Sequence, residues 1–405
     1  MSKYYLCITP FFPSPDSWRG AYVFDQVKAI QQNSEYEVIV FVTQGVTTKH
    51  STYVIDGMTV HRLPSWFMPS YFFNGLGHCI NGYILLNILD NLKIDLRDIA
   101  VAHAHTASLA CYLSALKSKN RQIKTVIQYH DLDPVQIRLG KFAKWRPNIV
   151  FRVKNFTNQF KNIDLHLCIS EKTLYNLKHF PFPHPQEAFK PYIESLEAAR
   201  GLEIPRNIKS YVLYNGVDVT KFRAIDGLKD GDCFKIGCVS NFQDLKDHIT
   251  LIKAVEEIVL NHSVGKKIKV SFIGSGPTKE YCKQYINSYN LDSYFIFEEE
   301  MRHEKLPSYF NSLDLFVLPS YFEGFGCVYT EAAACGVPFV GCLNQGYSEY
   351  ISDEDKHLWL IEPHDYIKLA DIIKRQIDSP IDQHLIHKFD INILMRQYIE
   401  FLSTI

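Results

Sequence analysis

Short apolar runs rich in β-branched and aromatic residues recur along this chain, and amphipathic stretches separate several of them. In the first half the runs lie at 3–9, 38–43, 99–105, 124–130 and 164–170. Strands that alternate with helices in this way predict a parallel, doubly wound sheet.

A second alternation follows a proline-rich break at 179–206, in which 186–200 has a helical pattern. Its strands are predicted at 234–240, 267–274, 294–297, 313–320 and 338–342. We therefore predict an α/β protein with domains at 1–207 and 208–382. A helical segment at 383–405 is expected to cross back to the first domain.

The helix that begins near Asp247 illustrates the periodicity. Asp247 is a suitable N-cap, and the apolar residues after it recur at helical spacing. They are Leu251, Ala254, Val255 and Ile258. This face is predicted to pack on the second sheet.

Bulk properties agree with two soluble domains. The chain has 405 residues, more than one core normally holds, and its 43 basic residues balance 44 acidic ones. That balance does not predict nucleic-acid binding. The N-terminus lacks the pattern of a secretory signal, and the ten cysteines show no CxxC pair, so we expect reduced thiols in the cytoplasm.

One uncharged stretch, 63–89, is long enough to raise the question of a membrane span. Prolines 64 and 69 and glycines 75, 77 and 82 interrupt it. We interpret it as a loop followed by a buried helix from about His78.

The most informative run is 319–338, PSYFEGFGCVYTEAAACGVP, which begins at the end of a predicted strand. Ligands of doubly wound sheets bind beside the carboxyl ends of the strands. Gly324 and Gly326 let the backbone approach a ligand, and the next helix presents amides to an anion. Glu323 then lies in the loop and Glu331 lies about one turn into the helix, so two carboxylates can face one cleft at different depths.

This run resembles the Glu-x7-Glu signature of glycosyltransferase family 4, the retaining GT-B enzymes. The resemblance implies two Rossmann-like domains that face a central cleft. It also implies that Glu323 contacts the donor sugar, that Glu331 holds the ribose, and that Gly324, Phe325 and Gly326 line the donor site. For two glutamates alone, a surface loop and an acid favoured by the helix dipole would be the better explanation. The surrounding Pro-Ser, Gly-Phe-Gly and Ala-x-Gly-x-Pro sequence favours the signature instead.

Further segments follow the family's order. Ser240 to Ala254 resembles the element that carries an Arg and a Lys against the donor diphosphate; Lys246 matches the Lys, whereas Asn241 stands at the Arg position. Glu349 is a further donor-site candidate, and a helix N-terminal acid is its alternative. In the first domain Gly20 resembles the glycine loop at the donor phosphates.

Three first-domain side chains complete the predicted site. The resemblance places His130 near the donor sugar, and it places His105 on the acceptor side. A structural hydrogen-bond partner is the alternative for His105. Ser170 follows the last predicted strand and would border the acceptor pocket.

The resemblance implies a retaining transfer from a nucleotide-diphosphate sugar to a glycan or lipid-linked acceptor, in surface polysaccharide or glycoconjugate biosynthesis. No metal and no cofactor are expected, and Asp131-Leu132-Asp133 is interpreted as a turn before Pro134. The alternatives are another sugar-nucleotide enzyme, such as an epimerase or hydrolase, and a binding protein without transfer activity. The sequence after the first strand lacks GxGxxG, which argues against a nicotinamide dehydrogenase.

A basic, aromatic strip at 138–161 has no acidic residue and could rest on the inner face of an anionic membrane. The alternative is a solvated helix face whose aromatic residues pack inward. The strip contains Arg138, Lys141, Phe142, Lys144, Trp145, Arg146, Phe151, Arg152, Lys154, Phe156, Phe160 and Lys161.

Overall fold

The computed structural model describes residues 3–45, 47–67, 73, 75–137, 145–181, 190–229, 231–261 and 265–405. The chain divides into two compact units, Met1–Gly216 with Ile391–Ile405, and Val217–Asp390. Both boundaries lie later than the expected 207 and 382. The first boundary lies later because a short strand after residue 207 pairs with the first sheet. The second lies later because Asp390 forms an isolated β-bridge with Val217.

The first unit is built on an eight-stranded sheet in the order β3-β4-β2-β1-β5-β6-β7-β8. Neighbouring strands are parallel except for the antiparallel edge pair β3 and β4. The strands are β1 (Tyr4–Thr9), β2 (Glu37–Gly45), β3 (Ser51–Ile55), β4 (Met58–Ser65), β5 (Ile99–His105), β6 (Lys124–Tyr129), β7 (Leu165–Cys168) and β8 (Ser210–Val212). All five strands predicted for this half are present.

The β3–β4 hairpin was not predicted, although the sequence carries a signal for it. Asp56 and Gly57 join the two strands, with φ of 47° and 76°. A two-residue turn with positive φ at both positions matches the twist of a hairpin, and Asp-Gly favours it.

Helices cover the first sheet. They are α1 (Ala21–Asn33), α2 (His78–Asn91), α3 (Ala110–Lys119), α4 (Arg146–Thr157), α5 (Glu171–Lys178) and α6 (Lys190–Ala198). The helix expected from His78 is therefore present as α2. In the part of the chain that the structure describes, no helix combines the length and apolar character needed to cross a bilayer.

The second unit has a six-stranded parallel sheet in the order β11-β10-β9-β12-β13-β14. Its strands are β9 (Cys233–Val239), β10 (Lys267–Ile273), β11 (Phe295–Glu298), β12 (Leu315–Val317), β13 (Phe339–Cys342) and β14 (Leu360–Ile361). Its helices are α7 (His248–Asn261), α8 (Lys279–Ser288), α9 (Leu306–Asn311), α10 (Cys327–Ala334), α11 (Lys356–Trp359) and α12 (Tyr366–Asp378). The strand order reverses between β9 and β12, which is where sheets of this kind bind ligands.

The predicted apolar face of α7 is confirmed. Leu251, Ala254, Val255 and Ile258 are all fully buried. Asp247 directly precedes the helix, and its carboxylate accepts a hydrogen bond from the Thr250 hydroxyl at 2.7 Å.

The last helix, α13 (Ile391–Ser403), belongs to the first unit, where it contacts α1. Met395 and Tyr398 join a core cluster that contains Tyr5 of β1 and Ile30 of α1. The Tyr398 and Tyr5 hydroxyls are 3.0 Å apart. The apolar face of α13 therefore completes the core beneath the first strands.

The basic strip is only partly a surface. Arg138, Lys141, Phe142 and Lys144 lie outside the described residues. Phe156 and Phe160 are buried, and the buried Arg152 donates to the Val135 carbonyl at 3.0 Å. The burial of Phe156 and Phe160 fits the alternative, in which the aromatic residues of this strip pack inward.

Candidate functional site

The loops that follow β9 and β12 meet beside the reversal of strand order in the second unit. Lys246, in the first loop, forms an ion pair with Glu323, in the second. Their side chains are 18% and 17% exposed. Ser320 Oγ also lies 3.4 Å from Glu323 Oε2. A cation and a carboxylate expected to contact a donor are therefore adjacent in a mostly enclosed position.

Backbone and amide contacts fix the Glu323 loop. The Tyr321 N–H and the Ser320 hydroxyl both donate to the Leu245 carbonyl at 3.1 Å, which ties this loop to the one that carries Lys246. The Glu323 N–H donates to Gln345 Oε1 at 2.8 Å. Gln345, which the sequence did not single out, is buried in the loop after β13.

Gly326 caps the N-terminus of α10 in the left-handed region, with φ of 77°. A Cβ there would lie 2.9 Å from Glu323 Cγ, so a side chain would displace the carboxylate. The Tyr329 N–H in the first turn of α10 donates to the Gly326 carbonyl at 3.1 Å. The amides at a helix N-terminus suit an anion in general. Gly324 and Phe325 precede it, both buried, and Phe325 packs edge-on against Tyr350 at 5.6 Å.

Glu331 lies in α10 and is held by residues that sequence reasoning missed. Its Oε1 is 3.2 Å from His303 Nε2, and His303 Nδ1 is 2.7 Å from Lys221 Nζ. The His303 and Glu331 side chains are each 11% exposed. Among the described residues, Glu331 Oε2 has no hydrogen-bond partner. The spacing of these three residues in the sequence does not predict the contact.

Asn241 and Glu349 lie in two loops that follow β9 and β13, strands that β12 separates in the sheet. Asn241 is exposed in the loop after β9. Glu349 is partly buried in a short 3-10 helix, Gly346–Tyr350, after β13. Both therefore lie at the carboxyl edge of the sheet.

Asp247 and His364 form a second pair near Lys246. The buried Asp247 carboxylate is 2.8 Å from His364 Nδ1, and this hydrogen bond raises the pKa of His364. Asp247 itself has a left-handed backbone, with φ of 49°. The pair therefore ties the residue after Lys246 to the loop after β14.

In the first unit His105 and His130 are hydrogen-bonded to each other. His105 Nδ1 is 2.8 Å from His130 Nε2, and the rings stack at 5.1 Å. Tyr22 of α1 packs on His130 at 5.0 Å. Burial lowers the pKa of His130 to about 3, and it holds the pKa of His105 well below its ordinary value. Both imidazoles are therefore neutral near pH 7.

The remaining first-unit candidates have local structural roles. Gly20 begins α1 with φ of 89°. The Ser170 hydroxyl caps α5, since it accepts from the Thr173 N–H at 3.1 Å and donates to Thr173 Oγ1 at 2.9 Å. An acceptor role for Ser170 stays a prediction.

The described part of the chain contains no group of three or more His, Cys, Asp or Glu side chains that could hold a metal ion. The Asp131 and Asp133 carboxylates accept the N–H groups of Asp133 and Gln136 at 3.1 and 2.8 Å. This geometry is a turn, as expected.

Two families match the chain. Residues 220–390 match the family described as Glycosyl transferases group 1, and residues 20–186 match Glycosyltransferase Family 4. The two matched segments lie largely in the second and first units, respectively.

Curated relatives match over part of their length. Protein CapJ of Staphylococcus aureus is 32% identical over 41% of this chain and 40% of CapJ. D-inositol 3-phosphate glycosyltransferase of Arthrobacter sp. is 30% identical over 41% of each protein. The chain thus covers about two fifths of the relatives it matches.

Solved structures resemble the whole chain. Sucrose-phosphate synthase from Thermosynechococcus elongatus has a TM-score of 0.67 at 16% identity, covering 99% of this chain and 95% of that protein. HepE of Anabaena, solved in complex with UDP and glucose, has a TM-score of 0.67 at 16% identity, covering 99% of this chain and 100% of HepE. At this identity the likeness establishes the shared two-domain fold.

Proposed function

Since the chain belongs to the glycosyltransferases, with a family 4 segment and a group 1 segment, we propose that it is a retaining, metal-independent GT-B enzyme. It would transfer a sugar from a nucleoside-diphosphate sugar to a glycan or lipid-linked acceptor, in surface polysaccharide or glycoconjugate biosynthesis. The Lys246–Glu323 pair at the reversal of strand order carries this proposal. The UDP and glucose bound to HepE support a nucleotide-sugar donor.

The proposed chemistry needs a stabilised diphosphate. The bond between the anomeric carbon and the diphosphate oxygen breaks, and the acceptor oxygen bonds to the same face of that carbon. The acceptor proton passes to the departing diphosphate oxygen. Lys246, Asn241 and the amides near Gly20 and Gly326 would stabilise the charge that develops there, without a metal.

Glu323 is placed to accept hydrogen bonds from sugar hydroxyls. Lys246 forms an ion pair with this carboxylate, and a diphosphate would compete for that lysine. Donor binding would then free one oxygen of Glu323 for the sugar. Glu331 would bind the ribose, and Glu349, Gly324 and Phe325 would shape the rest of the donor site.

First-unit residues are proposed for the sugar and the acceptor. His130 would face the donor sugar, with His105 and Ser170 on the acceptor side. The neutral His105–His130 pair can donate or accept a hydrogen bond without adding charge.

A transfer assay tests the proposal. The protein is incubated with UDP-, GDP- and ADP-sugars, with and without oligosaccharide or lipid-linked acceptors, and with and without EDTA. We expect acceptor-dependent product from one donor, unchanged by EDTA, whose anomeric proton coupling in NMR spectra matches the donor's configuration. An inverted product would contradict retention. Conversion of donors without acceptor would favour an epimerase or hydrolase, and absence of turnover with binding intact would favour a binding protein.

We also propose a cytoplasmic location with peripheral contact to the inner face of the membrane. The support is that Arg146, Lys154 and Lys161 of the basic strip are exposed, and that Trp145 is 42% exposed. Anionic lipid should attract them. Co-sedimentation with vesicles containing phosphatidylserine is expected at low salt and should weaken at high salt. Equal recovery with neutral vesicles would argue against this contact.

A further inference from the structure

Three polar side chains from separate segments of the second unit form a hydrogen-bonded chain that ends on Glu331. Lys221 lies near the start of the unit, His303 follows β11, and Glu331 lies in α10. Lys221 Nζ is 2.7 Å from His303 Nδ1, and His303 Nε2 is 3.2 Å from Glu331 Oε1. The proposed function assigns no task to Lys221 or His303.

The order of atoms fixes where the imidazole proton lies. A lysine ammonium has three donors and no acceptor, so Nδ1 of His303 must accept. The neutral ring then carries its proton on Nε2 and donates it to Glu331 Oε1. A doubly protonated ring would instead place an N–H against the ammonium. Lys221 therefore selects the tautomer that can hold the carboxylate.

Packing restricts the same ring. The buried Phe222, next to Lys221, lies 5.3 Å from the His303 ring. His303 and Glu331 are both almost enclosed, so few rotamers are open to either side chain. The donor on Nε2 is consequently presented to Glu331 in a fixed direction.

The other oxygen of Glu331 retains hydrogen-bonding capacity. Oε2 is enclosed and has no partner among the described residues. A buried acceptor left without a donor costs on the order of 1–3 kcal/mol, which a ligand hydroxyl can recover. The two neighbouring hydroxyls of a ribose are donors suited to a carboxylate.

We propose that Lys221 and His303 are positioning residues that hold Oε1 of Glu331, so that Oε2 is presented to the ribose hydroxyls of the donor nucleotide. This inference rests on the proposed function, in which Glu331 binds the ribose. It makes His303 a determinant of ribose recognition, acting through Glu331.

Nucleotides with and without ribose hydroxyls distinguish a positioning role of His303 from a purely structural one. Calorimetric affinities are measured for UDP, GDP and ADP and for their 2′,3′-dideoxy forms. The native protein should prefer the hydroxylated form of its nucleotide by about tenfold, equivalent to about 1.4 kcal/mol. In His303→Ala this preference should fall to within about twofold through weaker binding of the hydroxylated form. His303→Gln, which retains an N–H donor, should keep most of it.

Lys221→Met should reduce the preference as well, because Nδ1 then loses the ammonium that fixes the tautomer. His384→Ala is the matched control, since His384 is an exposed histidine of the same unit. It should retain the native preference. In turnover assays His303→Ala should raise the donor KM with little change in kcat, as expected when ground-state and transition-state binding fall together.

Two results would overturn the inference. One is an equal loss of affinity for both nucleotide forms in His303→Ala, which would make the role structural. The other is a native protein that binds both forms equally, which would remove Glu331 from ribose recognition. Acceptor-dependent turnover in the native protein tests the proposed function separately, so the two failures are distinguishable.

Discussion

Replacing Lys246 with methionine is expected to lower kcat about 100- to 1000-fold, the usual effect of removing one group that stabilises charge in a transition state. Lys246 is the cation paired with Glu323 at the reversal of strand order. Methionine preserves the length and apolar stem of the side chain and removes only the ammonium. The measurement is the steady-state rate with saturating donor and acceptor. Lys388→Met, an exposed lysine of the same unit, is the control and should keep native kcat.

Loss of folding must be separated from loss of catalysis in this experiment. Lys246→Met leaves the mostly enclosed Glu323 carboxylate without its cation, which should lower the free energy of unfolding by about 2 kcal/mol. Adding Glu323→Gln removes the buried charge and should restore part of that stability. The rate of the double variant should stay low. A double variant that recovers both stability and kcat would show that Lys246 acts only on the fold.

Acidification below about pH 6.5 is expected to destabilise the first unit by several kcal/mol, because several of its histidines are buried in the neutral form. Burial lowers the pKa of His103 and His166 to about 3 and that of His78 to about 4. Burial lowers the pKa of His105 as well. The unfolded chain, with histidine pKa near 6.5, binds protons that the folded unit excludes. Each such histidine therefore costs about 1.4 kcal/mol per pH unit between 6.5 and its folded pKa.

Urea unfolding at about pH 7.5 and about pH 5.5, together with NMR titration of the imidazole protons, checks this expectation. His364 contributes with the opposite sign: its raised pKa gives stability that is lost as pH rises. That side chain is 59% exposed, so solvent screens its effect. His384→Gln leaves the buried rings in place and should keep the acid-side loss. Equal stability at both pH values would contradict the buried, neutral state of these histidines.

The strands were largely predictable because their residues are buried on both faces of parallel sheets. Such strands are nearly continuous apolar runs, which local inspection detects. The β3–β4 hairpin was missed because most of its side chains are partly or fully exposed, so neither strand is a continuous apolar run. The strands β8 and β14 are too short to show a period. Each becomes recognisable as a strand only through its hydrogen bonds to β7 or β13, which inspection of the local sequence does not reveal.

The candidate site divides in the same way. Glu323, Glu331 and Lys246 could be proposed from the sequence because the segments that contain them resemble those of a known family. The ion pair between Lys246 and Glu323 joins residues 77 positions apart, and the contact of Lys221 with His303 joins residues 82 positions apart. Gln345 and Ser320 likewise act through loops that meet only at the edge of the folded sheet. These contacts have no local signature.

The amino-acid sequence by itself determined where most strands and helices of this chain form, and that two alternating α/β segments follow one another. It also determined that Glu323 and Glu331 come after a strand of the second segment. Periodicity and turn chemistry depend on neighbouring residues, so they can be found along the chain. Only the tertiary structure decided that a lysine pairs with Glu323, that a lysine–histidine pair contacts Glu331, and that Tyr398 of α13 meets Tyr5 of β1. Each of these depends on distances between residues far apart in sequence, which strand order and packing set.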